Sequence, residues 1–176
     1  VMVGEIRDAE TAEIAIQAAL TGHLVFSTLH TNDAAGAVAR LLEMGVEHYL
    51  LAPSLLGVLA QRLVRRLCKT CKHPVEVPPD VYREIACGDS TRFQVMEGAG
   101  CDECAGTGYR GRAGIYELLI VTDQVKQLVL QRASAGQIRD AGVKQGMRTL
   151  REDGWRTVRA GLTSVGEVVR VTQDEV

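Results

Sequence analysis

Two Cys-x-x-Cys pairs, Cys68-Lys-Thr-Cys71 and Cys101-Asp-Glu-Cys104, constrain the middle of this chain more than any other feature. Each pair is spaced so that both thiolates can reach one ion, and four thiolates complete a closed tetrahedral shell around Zn²⁺, with Zn–S distances of about 2.3 Å. Cys68, Cys71, Cys101 and Cys104 are therefore the expected metal ligands, in a structural site with no open position for water. Gly98, Gly100, Gly106 and Gly108 let the backbone wrap tightly about the second pair. Lys69, Lys72, Arg110 and Arg112 are placed to offset the negative charge of the shell. Two disulfides or a redox-active pair are the competing readings. The chain lacks secretory features, and a thioredoxin-type pair opens a helix after a strand, whereas the first pair here is expected to follow the end of a helix. Cys87 is left as a free thiol.

Between the pairs the texture is that of a small insert, with Pro74, Pro78 and Pro79 clustered and glycines dense from Cys68 to about Gly114. Such a segment has little core of its own and is held by its metal. The flanking sequence differs. Of the 176 residues 46% are hydrophobic but only 4% aromatic, so the core rests on Val, Leu, Ile and Ala. That composition suits helices packed on a parallel sheet. The net charge of −2 offers no electrostatic argument for nucleic acid as a direct partner, and no apolar run reaches the roughly 20 residues that span a bilayer.

Val1–Ile6 reads as the end of a buried strand, and the expectation is of a chain that opens inside a domain. Asp8 caps a helix with Ala9, Ala12, Ile16, Ala19 and Leu20 on one face, closed by Gly22. Leu24–Thr28 reads as a short buried parallel strand, and Ala37, Val38, Leu41 and Leu42 mark the next helix, closed by Gly45. Leu50–Leu67 is expected to be a third helix, with Pro53 tolerated in its first turn. Ala113–Val121 reads as a strand. Helices follow from the Thr122 cap to about Arg132, over Ala135–Gln145 and over Leu150–Ala160, and Ser164-Val-Gly-Glu167 forms a capping box before a last short helix. The fold class is α/β.

Two polar segments sit at the ends of the first two strands, where α/β folds bind ligands. In Val3-Gly4-Glu5-Ile6-Arg7-Asp8 an acid ends an apolar strand, a position from which a carboxylate holds Mg²⁺ or its water in phosphoryl-transfer enzymes. In Ser27-Thr28-Leu29-His30-Thr31-Asn32-Asp33 a histidine is placed to donate to a phosphate oxygen, and the plainer reading is a turn capping the following helix.

Taken together, Gly4-Glu-Ile-Arg-Asp-Ala-Glu-Thr-Ala12, Ala18-Ala-Leu-Thr-Gly-His-Leu-Val25 and Ser27-Thr-Leu-His-Thr-Asn-Asp-Ala34 resemble the secretion ATPases of type II secretion and type IV pilus assembly. The resemblance continues through Ala60-Gln-Arg-Leu-Val-Arg-Arg-Leu-Cys68, both cysteine pairs, Gly111-Arg-Ala-Gly-Ile-Tyr-Glu117 and the tail from Arg151 to Thr172. It implies the C-terminal part of a RecA-like P-loop ATPase domain: residues 1–67 as ATPase core, 68–114 as zinc-binding module and 115–176 as a C-terminal strand and helical region. It further implies Glu5 as the Walker B glutamate, His30 as the histidine-box residue, Arg7 in the same ATP and Mg²⁺ neighbourhood, and the four cysteines as the zinc ligands of the export and pilus-extension branch. A homo-hexamer docked on inner-membrane platform proteins at the cytoplasmic face is the implied assembly. No Gly-x-x-x-x-Gly-Lys-Ser/Thr occurs in these residues, so this stretch alone is expected to be inactive and its phosphate-binding loop to lie upstream.

Two other functions remain open to the residues themselves. One is a non-catalytic, zinc-stabilised interaction or adaptor module; Cys101-x-x-Cys104-x-Gly106-x-Gly108 is similar to one repeat unit of the J-domain co-chaperones. The other is a zinc-ribbon nucleic-acid binder using Arg62, Arg65, Arg66, Lys69, Lys72 and His73, disfavoured by the scarcity of aromatic residues for base stacking.

Overall fold

A computed structural model describes residues 1–88 and 91–173. The chain divides into two compact units, 1–60 with 117–147, and 61–116 with 148–176.

The first unit begins with two paired segments rather than two full strands. Met2 and Phe26 form a parallel bridge, extended by Phe26 N–H donating to Val1 O (3.0 Å), Val3 N–H to Phe26 O (2.9 Å) and Ile6 N–H to Thr28 O (2.9 Å). Both were expected to be buried, yet Val1, Met2, Leu24 and Phe26 are exposed. Each segment pairs only with the other among the described residues, and Ile6 alone of the first segment packs against the core. The helices α1 (Ala9–Leu20) and α2 (Ala34–Glu43) follow the sequence closely. Asp8 accepts from Thr11 N–H at 2.8 Å and Asp33 from Gly36 N–H at 2.6 Å, each satisfying an amide that the helix start leaves without a partner.

The expected helix over Leu50–Leu67 is not formed. A short α3 (His48–Ser54) ends just past Pro53, and β1 runs from Gly57 to Leu67 as a strand. The reason is tertiary. Leu, Ala, Gln and Arg favour helix locally, but Gly57 breaks the run and β4 (Tyr109–Ile120) supplies a hydrogen-bonded partner. Burial then alternates with the pleat, so that Val64 is fully buried while Leu59 and Leu63 are exposed. The core of the first unit is closed by α5 (Asp123–Leu130) and α6 (Ala135–Lys144). It joins Ile16, Val38, Leu51, Leu119, Val125 and Ile138 in one apolar cluster.

In the second unit, β2 (Lys72–Val75) pairs antiparallel with β3 (Val95–Gly98), in register from Lys72 opposite Gly98 to Val75 opposite Val95. A helix α4 (Pro79–Ala86) packs on α7 (Leu150–Arg159), which in turn packs on α8 (Val165–Val171). The capping box expected at Ser164 is only half made. Ser164 Oγ accepts from Glu167 N–H, but the Glu167 carboxylate turns to Arg65 and Arg170. Arg65 N–H and guanidinium donate at 2.8–3.0 Å, Arg170 at 2.7 Å, and Arg65 lies 4.2 Å over the Tyr109 ring. Arg65, one of the basic stretch beside the cysteines, is thus a partner of a buried acid.

Burial alone would raise the Glu167 carboxyl, but hydrogen bonds from Arg170 and Arg65 outweigh it and hold the pKa at about 2. The folded value lies below the unfolded one, near 4.5, so the stabilisation is complete above that pH and is lost as pH falls toward 2. The difference corresponds to about 3 kcal/mol. In denaturant titrations followed at Trp155, the single tryptophan and 2% exposed, Glu167→Gln is expected to remove that increment of acid sensitivity. Parallel stability curves for wild type and variant between pH 2 and 5 would show that the network carries none of it.

Candidate functional site

Pairing of residues 1–6 with 24–28 brings the two polar strand ends side by side. Thr28 Oγ1 donates to Gly4 O at 2.7 Å, which locks the register one residue before Glu5 and two before His30. Glu5 Oε1 then meets His30 Nε2 at 2.8 Å, and Glu5 Oε2 meets an Arg7 guanidinium nitrogen at 2.5 Å. The Arg7 guanidinium holds the Glu5 carboxyl below the usual carboxylate range, and Glu5 in turn raises Arg7. Glu5 is largely shielded, whereas the side chains of His30 and Arg7 are 88% and 76% exposed. A shielded carboxylate between two exposed donors suits a ligand that carries both negative oxygens and a cation. The three residues line a cavity of about 290 Å³ together with Ile6, Leu29, Arg40 of α2 and Met44, which caps the end of that helix. The sequence did not single out Arg40 or Met44, because both read as ordinary positions of an amphipathic helix.

The turn leading into α2 is held more firmly than its composition implies. Asp33, besides capping α2, accepts from Arg139 at 2.6 Å, and Glu117 Oε1 accepts from Ala34 N–H at 2.9 Å. Both contacts join residues far apart in the chain, so no local spacing reveals them.

The four cysteines of the second unit converge. Their sulfurs all lie within 4.8 Å of one another, with Cys68–Cys101, Cys71–Cys104 and Cys101–Cys104 each at 3.8 Å. No disulfide joins them. A tetrahedral ion with metal–sulfur bonds of about 2.3 Å has edges of about 3.8 Å, so the donor set fits a metal. Cys68 follows β1, Cys71 precedes β2, and Cys101 and Cys104 bracket a 3₁₀ turn, Asp102–Cys104. Gly98 and Gly108 cross so closely that a Cβ on Gly108 would stand 2.6 Å from Gly98 O, and Gly108 also has a positive φ of 75°. Burial pushes the Cys71 thiol up to about 12. At Cys104 burial is outweighed by N–H donation from Cys101 and Gly108, which brings the thiol down to about 6. Two of the cations expected to offset the shell are committed elsewhere: Lys72 Nζ donates to Gly161 O at 3.0 Å, and Arg110 pairs with Glu103. Cys87 stands apart and exposed.

The family model described as "Type II/IV secretion system protein" matches residues 1–170. The chain belongs to that family. Among relatives of this secretion-family chain, "Type II secretion system protein E" of Pectobacterium carotovorum subsp. carotovorum is 52% identical over 176 residues, covering 99% of the chain and 34% of the relative. "Type IV pilus assembly ATPase PilB" of Thermus thermophilus is 48% identical over 174 residues, covering 98% of the chain and 20% of the relative. The chain thus spans between a fifth and a third of the length of these secretion-family proteins. In fold it is similar to the crystal structure of the pilus retraction motor PilT with bound ADP, at a TM-score of 0.64 and 23% identity over 99% of this chain and 40% of that one. The ATPase DotB of Yersinia pseudotuberculosis gives a TM-score of 0.66 at 21% identity, over 98% of this chain and 36% of that one. The α/β class expected from the sequence is therefore shared with part of these ATPases. No helix among the described residues is long and apolar enough to cross a membrane.

Proposed function

We propose that this chain is part of the ATP-driven motor subunit of a type II secretion or type IV pilus assembly machine, with Glu5, His30 and Arg7 facing the terminal phosphate of ATP. The observation that carries the reading is the 2.8 Å contact between Glu5 and His30 at the ends of two paired segments. The names of the relatives support it, as does the ADP bound to PilT, whose fold this chain shares in part. Glu5 is the acid that holds Mg²⁺ or its bound water, His30 donates to a phosphoryl oxygen, and Arg7 balances charge on the same oxygens. Mg²⁺, when bound, neutralises charge on the phosphates. The backbone amides and lysine that cradle the phosphates come from elsewhere in the full-length protein, since these 176 residues contain no Gly-x-x-x-x-Gly-Lys-Ser/Thr.

The cysteine cluster holds Zn²⁺ in a structural role, because four thiolates fill a tetrahedron and leave no site for substrate. The full-length protein acts as a hexamer against membrane platform proteins at the cytoplasmic face of the inner membrane. In full-length protein, His30→Ala is expected to lower kcat for ATP about 10- to 100-fold with KM little changed, since the donor acts on charge that grows in the transition state. Steady-state phosphate release measures it, and wild-type turnover in that variant removes His30 from the mechanism.

A further inference from the structure

Glu117 lies near the end of β4, 1% exposed, on the same strand face as Ile115 and Leu119, which are fully buried. An ionisable acid is unfavourable there unless its oxygens are held. One of them accepts the amide of Ala34, the first residue of α2, at 2.9 Å, where the positive end of the helix also favours a carboxylate. From a second side Asp33 is gripped by Gly36 N–H and Arg139, and Thr31 Oγ1 donates to the Asp33 carbonyl. Immediately upstream of this clamped turn is His30, whose exposed ring touches Glu5. A ring with so little packing of its own is placed by the backbone that carries it.

We propose that Glu117 is a positioning residue for the Glu5–His30 pair: by holding the first amide of α2 it fixes the 31–34 turn and so sets His30 against Glu5. This rests on reading that pair as part of the ATP site. It also gives a role to the final residue of Gly111-Arg-Ala-Gly-Ile-Tyr-Glu117, a segment that the ATP chemistry does not otherwise use.

The test is made in full-length protein. Glu117→Leu removes the carboxylate and leaves an apolar side chain of similar size, at the cost of taking the Glu117 acceptor from the buried Ala34 amide. The variant is expected to keep its cooperative melting transition and a KM for ATP within about 2-fold, while kcat falls about 10- to 100-fold from a slightly misplaced ring. The deciding readout is coupling to His30. In a His30→Ala background, Glu117→Leu should change kcat by no more than about 2-fold, because the carboxylate acts through the ring. A purely structural role would lower kcat by the same factor in both backgrounds. If the Leu variant does not melt cooperatively, Glu117→Asp takes its place in the same cycle; it keeps the charge and withdraws the oxygens by about 1.5 Å, one C–C bond. Wild-type kcat in the folded variant, or equal factors in the two backgrounds, overturns the proposal. Glu5→Gln run alongside separates the two failures. Lost turnover there with full turnover in the Glu117 variant sinks the positioning role alone, whereas full turnover in Glu5→Gln sinks the ATP-site reading and this proposal with it.

Discussion

Full-length protein carrying Glu5→Gln is expected to bind ATP about as tightly as wild type and to turn it over about 10²- to 10³-fold more slowly. Glutamine keeps the size and one acceptor oxygen but loses the charge. On the proposed reading ATP is also held by the phosphate-binding loop supplied from elsewhere in the full-length protein, so loss of one carboxylate leaves most of the binding intact. Turnover depends on the placing of metal-bound water and on charge balance in the transition state, both of which need the anion. The two donors around Glu5, His30 at 2.8 Å and Arg7 at 2.5 Å, would also be left with one acceptor oxygen in place of two. Equilibrium nucleotide binding and phosphate release, measured on one preparation, separate the two effects. A variant that hydrolyses ATP at the wild-type rate removes Glu5 from the chemistry.

Removing the metal proposed for the cysteine cluster is expected to unravel the segment around it, from Cys68 to Ala86 and from Val95 to Gly108. Without a cation, burial resists four thiolates held within 4.8 Å of one another, and the protons they take up disrupt the tetrahedral arrangement. Besides the cysteines, that segment is held by a four-residue strand pair, the Lys72–Gly161 and Arg159–Ala86 contacts, the Tyr82–Phe93 stack and the packing of α4 and β3 on α7. Structural zinc contributes on the order of 10 kcal/mol to small domains of this kind. Amide hydrogen exchange with and without a strong chelator, and in Cys101→Ser, checks the effect. Protection should be lost from that segment and kept in α2 and α5, whose core residues, Val38, Val125 and Val129, are fully buried in the other unit. Equal protection with and without metal would mean that the cluster is not what orders the segment.

What the sequence disclosed and what it hid follow the range of the interactions. The caps at Asp8, Asp33 and Thr122 are local, three residues from the amide they serve, and the helices they start fall where spacing puts them. The cysteine cluster was legible for the same reason, each pair being local and the joining of the pairs dictated by the coordination of one ion. β1 was misread because its fate is decided by β4, some fifty residues downstream, while its own residues favour helix. The Arg65–Glu167 and Glu117–Ala34 contacts stayed hidden because an acid at one end of a chain carries no mark of the amide or guanidinium it will meet at the other. Glu5 and His30 were an intermediate case. Each was visible at a strand tip, but only the parallel pairing of those strands brings them within 2.8 Å.

The ribbon of β1 and β4 carries a consequence for how such proteins diverge. Both strands contribute to both compact units, the chain leaving the first after residue 60 and re-entering it at residue 117. Neither unit is a continuous stretch of gene. Recombination that cuts once inside the ribbon would carry residues of both units, so exchange of the cysteine-bearing unit between homologous proteins calls for crossovers at three junctions, after residues 60, 116 and 147, the first two of which must preserve strand register.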